Sequence, residues 1–198
     1  VGGNRLAVLK RLYGLEQRYG LLRSDAEGFE FAHAKIREAL YENLPPSLRR
    51  ECHLSIGEAL ERLAGDHPGP AVYDLARHFV EAGERPRGFR YAVIAADRAE
   101  KALAASEAAT YLQQALALMR DGDDLGGGGD LEMELRYRHG RLLSMLGRPD
   151  EAEPTFRVAL EISQERGDLR MQSAIVLALS SMRGRGGDWA GAIVLGDR

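Results

Sequence analysis

Several carboxylates in this sequence are close enough together to be considered for acid–base chemistry. Asp150, Glu151 and Glu153 lie within one predicted helical turn, and Glu107 can be paired with Asp97. Two carboxylates can act as general acid and general base. Each of these residues falls at the start of a predicted helix or on a solvated helix face, where acidic side chains complement the helix dipole. The sequence therefore predicts no catalytic carboxylate.

Other residue types with chemical potential lack the spacing that a site needs. His67, His78 and His139 have no metal-ligand spacing with each other or with Cys52, and no His-Glu-x-x-His sequence occurs. The glycine run at 126–129 follows two aspartates and lacks the Lys and Ser/Thr that reach phosphate and magnesium. No Gly-x-Ser-x-Gly sequence is present to expose a nucleophile. We predict no catalytic residue, metal or cofactor in this chain.

Charge and composition exclude other classes of function. The 198-residue chain has a net charge of -3 and a pI of about 6.0, so no overall positive field attracts nucleic-acid phosphates. No apolar run approaches the ~20 residues that cross a bilayer, and the N-terminus lacks the apolar core of a signal peptide. The single Cys52 cannot form an internal disulfide and is expected to be a small buried apolar residue. These features predict a cytoplasmic protein that binds neither membrane nor nucleic acid directly.

The first part of the sequence alternates helical and strand patterns. Apolar residues recur with helical spacing over 6–19, and short apolar segments on both sides of the turn-forming residues 24–28 predict a hairpin. A second helix begins at Ala34 and must end before Pro45 and Pro46, whose rings prevent its continuation. Helix, hairpin and helix together resemble the end of a winged-helix domain.

Residues 47–198 are predicted to be amphipathic helices separated by turns. In the first of them Ser47 is predicted as the N-cap and Gly65 as the stop. Its apolar positions, spaced by three and four residues, are Leu48, Cys52, Ile56, Leu60 and Leu63. The apolar positions of the next helix, which ends before Gly83, are Val72, Leu75, Ala76 and Phe79.

A repeated helix-pair pattern follows, with copies near residues 89–122, 133–166 and 167–198. It matches the tetratricopeptide template of about 34 residues, in which small residues lie where the two helices of a pair cross closely. The small residues at these positions of the first two copies are Ala96, Ala108, Gly140 and Ala152. Residues 121–130 exceed the repeat and are expected to form a flexible, exposed insertion.

The third copy is expected to be cut short, with Trp189 filling the core of its reduced second helix. Because such helix pairs need neighbours on both sides, we expect the chain to be a piece of a larger protein or to have an end that packs on itself. The predicted fold is all-α. A tetratricopeptide-like helix-pair solenoid over 47–198 follows a partial winged-helix-like segment at 1–46, which contains one short β-hairpin.

The first helix of each pair is expected to line a partner-binding groove. In tetratricopeptide arrays these helices carry the groove residues, and mixed charge with an aromatic residue suits a peptide or protein segment. The predicted groove residues are Arg90, Asp97, Glu134, Tyr137, Arg141 and Ser144. The alternative interpretation is that they form an ordinary solvated surface.

Residues 29–115 resemble one family in particular. The segments FEFAHAKIREALYENLPPSLRRECHLSIGEALE and DLARHFVEAGERPRGFRYAVIAADRAEKALAASEAATYLQQAL are similar to the region that follows the nucleotide-binding module in bacterial signal-transduction ATPases of the STAND class, including large LuxR-type regulators. The resemblance implies a regulatory protein whose helical arm binds a partner or inducer, or its own ATPase and output domains. It also implies that ATP or ADP binds elsewhere in the full-length protein.

The same resemblance suggests a role for His33. STAND proteins often place a Met-His-Asp-like motif just after the corresponding strand, and its histidine contacts the phosphate of bound ADP, so His33 would be a nucleotide sensor. Here Ala32 and Ala34 stand where the motif has Met and Asp. The alternative is a histidine that caps the following helix or packs against the hairpin. A second recurrent histidine, His53, is expected to bond helix to helix.

From these features we predict that the chain is the interaction and sensor arm of a STAND-type signalling or transcriptional regulator. It would bind a protein or peptide partner and relay to, or inhibit, a nucleotide switch outside this chain. Two alternatives are a stand-alone tetratricopeptide adaptor for a peptide segment and a non-catalytic helical domain of a larger enzyme.

Overall fold

A computed structural model of the chain describes residues 5–26, 28–119 and 128–185, with side chains described as far as 182. Over these residues the chain is all-α apart from one two-stranded antiparallel hairpin, as predicted. The helices are α1 (Arg5–Tyr19), α2 (Ala34–Glu42), α3 (Pro46–Ala64), α4 (Val72–Ala82), α5 (Arg85–Lys101), α6 (Ala105–Leu118), α7 (Gly128–Met145), α8 (Pro149–Arg166) and α9 (Leu169–Arg185), and the strands are β1 (Leu22–Ser24) and β2 (Phe29–Phe31). None of these helices is long and apolar enough to cross a membrane.

Residues Val1–Glu51 form a first compact unit. Its hairpin pairs Leu22 with Phe31, and Leu22 is the one buried apolar residue among those described in this unit. Glu16 of α1 accepts hydrogen bonds from the backbone N–H of Ser24, at 2.9 Å, and from its hydroxyl. The carboxylate therefore fastens the first helix to the hairpin, and the predicted helix and hairpin are confirmed.

The start of α3 differs from the sequence prediction. The helix begins at Pro46, and the carbonyl of Pro45 accepts a hydrogen bond from the backbone N–H of Arg49 at 3.0 Å. Proline suits the first helical position because its φ is fixed near the helical value and its missing N–H would have no partner there. Ser47 therefore lies inside the first turn, and its assignment as the N-cap is wrong.

Residues Cys52–Arg198 form a second unit, in which each helix from α4 to α9 packs against the next. The small residues of the repeat pattern lie at these contacts, as predicted: Ala96, Ala108 and Ala152 are fully buried. Gly140 is buried as well, and a Cβ atom there would lie 2.8 Å from Cε1 of Phe156. The absence of a side chain lets α7 and α8 approach each other around the aromatic ring.

A similar glycine and phenylalanine contact occurs once more, before the first predicted repeat. A Cβ atom on Gly57 of α3 would lie 3.0 Å from Cε1 of Phe79 on α4, which repeats the glycine and phenylalanine contact between α7 and α8. The face of α3 that packs is therefore the face of His53 and Gly57, both buried. Helices α3 and α4 are therefore in side-chain contact, which the repeat register did not include.

Most of the predicted apolar face of α3 points away from this contact, although Leu60 packs against the apolar cluster of α4 and α5. Ile56 and Leu63 are 45% and 85% exposed, and Cys52 is exposed. Spacing by three and four residues identified a stripe on the helix but not the side that a neighbouring helix covers. The prediction that Cys52 is a buried apolar residue is wrong.

The boundary between the two central repeats is also shifted. Helix α7 begins at Gly128, so residues 128–130 are helical and do not belong to the insertion. Asp130 lies in the first turn, where a carboxylate complements the helix dipole, and it pairs with Arg166 at 2.9 Å. The rest of the predicted insertion, 121–127, lies outside the described residues, as does Trp189.

The turns between paired helices use backbone conformations that favour glycine. Gly147, between α7 and α8, has a φ of 72° and supplies the left-handed residue that ends a helix. The equivalent position between α5 and α6 holds Leu103, with a φ of 58°. Leu103 is the one non-glycine residue with positive φ among those described.

Candidate partner-binding groove

Helices α5, α7 and α9 are the first helices of the successive pairs, and Arg138 joins two of them. Its guanidinium donates to Asp97 at 2.5 Å and to Glu100 at 3.2 Å, both on α5, and lies 3.8 Å from Glu134 on its own helix. Burial lowers the pKa of Arg138, but the hydrogen bonds to Asp97 and Glu100 outweigh it and raise the pKa above its usual value. Arg138 therefore stays charged and holds α7 against α5.

A first depression, which we name the α7–α9 depression, lies between the N-terminal halves of α7 and α9. It has a volume of about 420 Å³. Its lining residues are Asp130, Met133, Glu134, Tyr137, Asp168, Arg170, Met171 and Ala174. Two of its carboxylates have structural roles, because Asp130 pairs with Arg166 and Asp168 accepts from the backbone N–H of Met171 at 3.0 Å. The remaining lining combines the ring of Tyr137 and the thioethers of Met133 and Met171 with Glu134, Arg170 and Ala174.

A second depression, which we name the α5–α7 depression, lies on the other side of α7. It has a volume of about 250 Å³. Its lining residues are Glu100, Leu103, Ala105, Arg138, Arg141, Leu142 and Met145. Leu103 and Met145 are 90% and 71% exposed, and the guanidinium carbon of Arg141 lies 5.8 Å from the ring centre of Tyr137. Helix α7 thus separates two depressions and contributes residues to both.

The predicted groove residues are distributed unequally over these two depressions. Glu134 and Tyr137 line the α7–α9 depression, and Arg141 lines the α5–α7 depression. Asp97 is adjacent to them through its bond to Arg138. The described lining of the two depressions includes neither Arg90 nor Ser144.

Sequence reasoning missed the residues that give the groove its character. Arg138 could have been found as a basic residue facing Asp97 and Glu100, which are spaced by three residues on the preceding first helix. Leu103 carried a clearer signal, because the repeat register aligns it with Gly147 in the next turn. The depression beside Leu103 has no sequence signature, since its walls come from separate repeats.

The two histidines singled out by the resemblance have different environments. His33 is exposed at the N-cap position of α2, where its backbone carbonyl accepts from Ile36 while its side chain makes no capping bond among the described residues. His53 is buried, and its Nδ1 lies 2.9 Å from Nδ1 of His78 on α4. Helix-to-helix bonding by His53 is confirmed, and nucleotide sensing by His33 stays a prediction.

Comparisons with known proteins leave the family undecided. No protein-family model, curated protein or solved structure matches the chain. Within the described ranges, no three His, Cys, Asp or Glu side chains come together as a metal site. Among the described residues, the two depressions on α5, α7 and α9 form the candidate functional site.

Proposed function

We propose that this chain is a protein-interaction arm that holds a polypeptide segment in the groove formed by α5, α7 and α9. The observation that carries the proposal is the placement of Tyr137. Its half-buried ring lies in the α7–α9 depression together with Met133 and Met171, and Arg141, which borders the α5–α7 depression, lies beside the same ring. Aromatic residues, methionine and arginine are enriched where proteins contact each other.

The chemistry of the groove suits a polypeptide better than a small apolar ligand. Thioether side chains adapt their shape to varied partners, while the charged rim around them offers hydrogen bonds to a peptide backbone and to polar side chains. Both depressions lie beside α7, so a single extended segment can contact both across that helix. A small ligand would fill only one of them.

In the full-length protein, we propose that this arm belongs to a STAND-type regulator and acts on a nucleotide switch outside this chain. Support comes from the resemblance over residues 29–115 and from the exposed position of His33, which is accessible to a neighbouring domain. The stand-alone adaptor is the second candidate, because Cys52–Arg198 forms a compact unit that contains the groove. A Walker A sequence encoded upstream of Val1 would favour the regulator, and a continuous open reading frame without one would favour the adaptor.

The groove is tested by selecting peptides on it. A phage-displayed library of random dodecapeptides is panned on the immobilised chain, and an enriched peptide is synthesised and titrated by fluorescence anisotropy. Removal of the aromatic ring in Tyr137→Ala is expected to weaken binding by about tenfold or more, since aromatic anchors commonly dominate an interface. The enriched peptides are expected to bind the wild-type chain and to bind the Tyr137→Ala variant much more weakly.

Tyr111→Ala is the matched control, because Tyr111 is a half-buried tyrosine of the same unit that packs against another ring, as Tyr137 does, and lines neither depression. This control should bind the peptide as the wild type does, and both variants should keep the helical circular dichroism of the wild type. Failure to enrich any peptide, or equal binding by the two tyrosine variants, would contradict the proposal.

A further inference from the structure

Helix α1 in the first unit carries apolar side chains that remain exposed. None of its residues is buried. Val8, Leu15 and Tyr19 are 51%, 39% and 58% exposed, and their spacing of seven and four residues places them on one side of the helix. We name these three residues the α1 strip. Single exposed apolar residues are normal on a protein surface, but a contiguous set of them marks a contact site.

The α1 strip is narrow, because other features border it on both sides. On one side Leu12 and Glu16, one helical turn apart, are half-buried, and the carboxylate of Glu16 accepts hydrogen bonds from Ser24 of β1. On the other side lie Arg11 and Arg18, which helical spacing places one turn from residues of the strip. The apolar surface between the hairpin and the two arginines has the width of a single helical stripe.

The charges of α1 are strongly unbalanced. Its basic residues are Arg5, Lys10, Arg11 and Arg18. Its single acidic residue, Glu16, is held by the hairpin through Ser24. Arg11 and Arg18 form no ion pair with any residue that the structure describes. The guanidinium carbon of Arg18 lies 5.5 Å from the ring centre of Tyr19, so this charge borders the α1 strip directly.

The described residues of the hairpin do not neutralise these arginines. Side chains alternate between the two faces of a strand, and Ser24 faces α1. Arg23 and its cross-strand neighbour Glu30 therefore lie on the opposite face, where their charges offset each other. Asp25, in the turn, accepts a hydrogen bond from the backbone N–H of Gly28. The side of α1 that carries Arg11 and Arg18 stays basic.

Shape and charge together select one occupant for the α1 strip. A second copy of α1 would bring arginines against arginines, and like charges across an interface are repulsive. A flat lipid surface would meet the adjoining hairpin before it covered a strip of this width. An acidic amphipathic helix meets neither obstacle, because its apolar stripe can lie along the strip while its carboxylates pair with the two arginines.

We propose that the α1 strip is a docking site for an acidic amphipathic helix of a partner protein. The apolar stripe of that helix packs on Val8, Leu15 and Tyr19, and aspartates or glutamates beside the stripe pair with Arg11 and Arg18. The inference goes beyond the proposed function, because this surface belongs to the first unit and needs no peptide in the groove of the second.

The experiment is a parallel selection on two forms of the full chain. A phage-displayed library of helical peptides, randomised on one face, is panned on the wild type and on the double variant Arg11→Glu with Arg18→Glu. Peptides enriched on the wild type alone are expected to share apolar residues at spacings of three and four, flanked by Asp or Glu. Both arginines are exposed, so the double variant should keep the helical circular dichroism of the wild type.

A selected peptide is then synthesised and titrated by fluorescence anisotropy. The double variant should bind it at least about tenfold more weakly, and a peptide with Lys in place of each acidic residue should recover binding to that variant. Leu15→Ala should also weaken binding, because it removes part of the apolar contact. Hydrogen exchange locates the site: the peptide should slow exchange of the α1 amides and leave those of α6 unchanged.

Lys35→Glu with Arg37→Glu is the matched control. Both residues are exposed on α2, another helix of the same unit, and the change in net charge equals that of the α1 variant. This control should bind the peptide as the wild type does. Equal weakening in the two double variants would mean that only the net charge of the chain matters, and the docking site would be rejected.

Three further results would overturn the inference. One is that no helical peptide is enriched on the wild type over the α1 variant, and another is an enriched consensus without acidic residues. The third is a different occupant. Sedimentation of the chain with vesicles of phosphatidylserine and phosphatidylcholine, without peptide enrichment, would assign the strip to a lipid surface. Dimerisation that the α1 variant loses would assign it to a second copy. Each of these results leaves the Tyr137 groove as it stands.

Discussion

At the scale of single residues, His53 and His78 form the most constrained polar contact in the second unit. Their Nδ1 atoms lie 2.9 Å apart and both side chains are buried. A hydrogen bond between two imidazoles requires one ring to donate and the other to accept, so it is lost when both rings are protonated. Burial is the main cause that lowers the pKa of His78, followed by the charge of Arg77 and by His53, while Asp74 opposes the change.

His78 and His139 make the stability of the fold depend on pH. Burial followed by the charge of Arg148 also lowers the pKa of His139, against the opposing effect of Glu151. In the unfolded chain both histidines titrate near 6.5, so below that pH the unfolded chain binds more protons than the folded chain. Stability is therefore fully present above about pH 6.5 and is lost as the pH falls towards the lowered folded-state values.

We expect the urea midpoint of the chain to decrease as the pH is lowered from about 7.5 to about 5.5. The free energy of unfolding should fall by at most about 1.4 kcal/mol per pH unit for each histidine. His78→Asn keeps a donor and an acceptor near the position of Nδ1 but does not titrate, so the fall should be smaller in this variant. His67→Asn is the control because His67 is exposed. A pH dependence that is identical in the wild type and in both variants would contradict this account.

At the scale of helices, the contact between Gly140 and Phe156 sets how closely α7 and α8 pack. Phe156 is fully buried, so its ring cannot move aside for a Cβ atom placed 2.8 Å away. Gly140→Ala is expected to lower the free energy of unfolding by about 1 kcal/mol, because overpacking of about 1–3 kcal/mol outweighs the gain in helix propensity of about 1 kcal/mol. The measurement is the urea midpoint.

The first repeat supplies the compensating change. Its equivalent positions hold Ala96 and Leu112, both fully buried, so the smaller leucine accommodates the methyl group of alanine. Adding Phe156→Leu to Gly140→Ala should therefore recover part of the lost stability, which a double-mutant cycle measures. Additive losses in the double variant would show that the two positions do not share one packing space.

The helices were more predictable than their surroundings. Small residues at a fixed interval identified the contacts of Ala96, Ala108, Gly140 and Ala152 correctly, because close helix crossing requires small side chains wherever it occurs. The buried side of α3 was predicted only in part. Leu60 of the apolar stripe packs against the core, whereas Ile56 and Leu63 are exposed, and the fully buried positions are His53 and Gly57. Sequence periodicity identifies the apolar face of a helix, but the face that becomes buried also depends on where the neighbouring helix packs.

The groove was predictable only in outline. The use of the first helix of each pair followed from the repeat register alone, as did three lining residues on α7, which are Glu134, Tyr137 and Arg141. The Arg138 ion pairs and the apolar mouth at Leu103 depend on distances between different repeats, which a single sequence does not contain. These features are tertiary, and the sequence indicates them only after the helices have been placed.

At the scale of the whole molecule, the two units differ in how much apolar surface they bury. Each helix of the second unit contains buried residues among those described, whereas α1 and α2 contain none. Apolar side chains of α1 such as Leu6 and Tyr13 are more than half exposed. Burial of apolar surface is the main source of stability, so the helices of the first unit are expected to open locally at a lower cost in free energy than those of the second.

Hydrogen exchange should therefore separate the units. Helices α1 and α6 have nearly equal lengths of 15 and 14 residues, which removes length as a cause of different protection. We expect the amides of α6 to exchange about 100-fold more slowly than those of α1, because α6 opens only with its packed neighbours while α1 can open alone. Mass spectrometry of peptides from the exchanged chain provides the measurement. Equal protection of the two helices would mean that α1 is held by contacts as extensive as those of the repeat array, which its exposed leucines contradict.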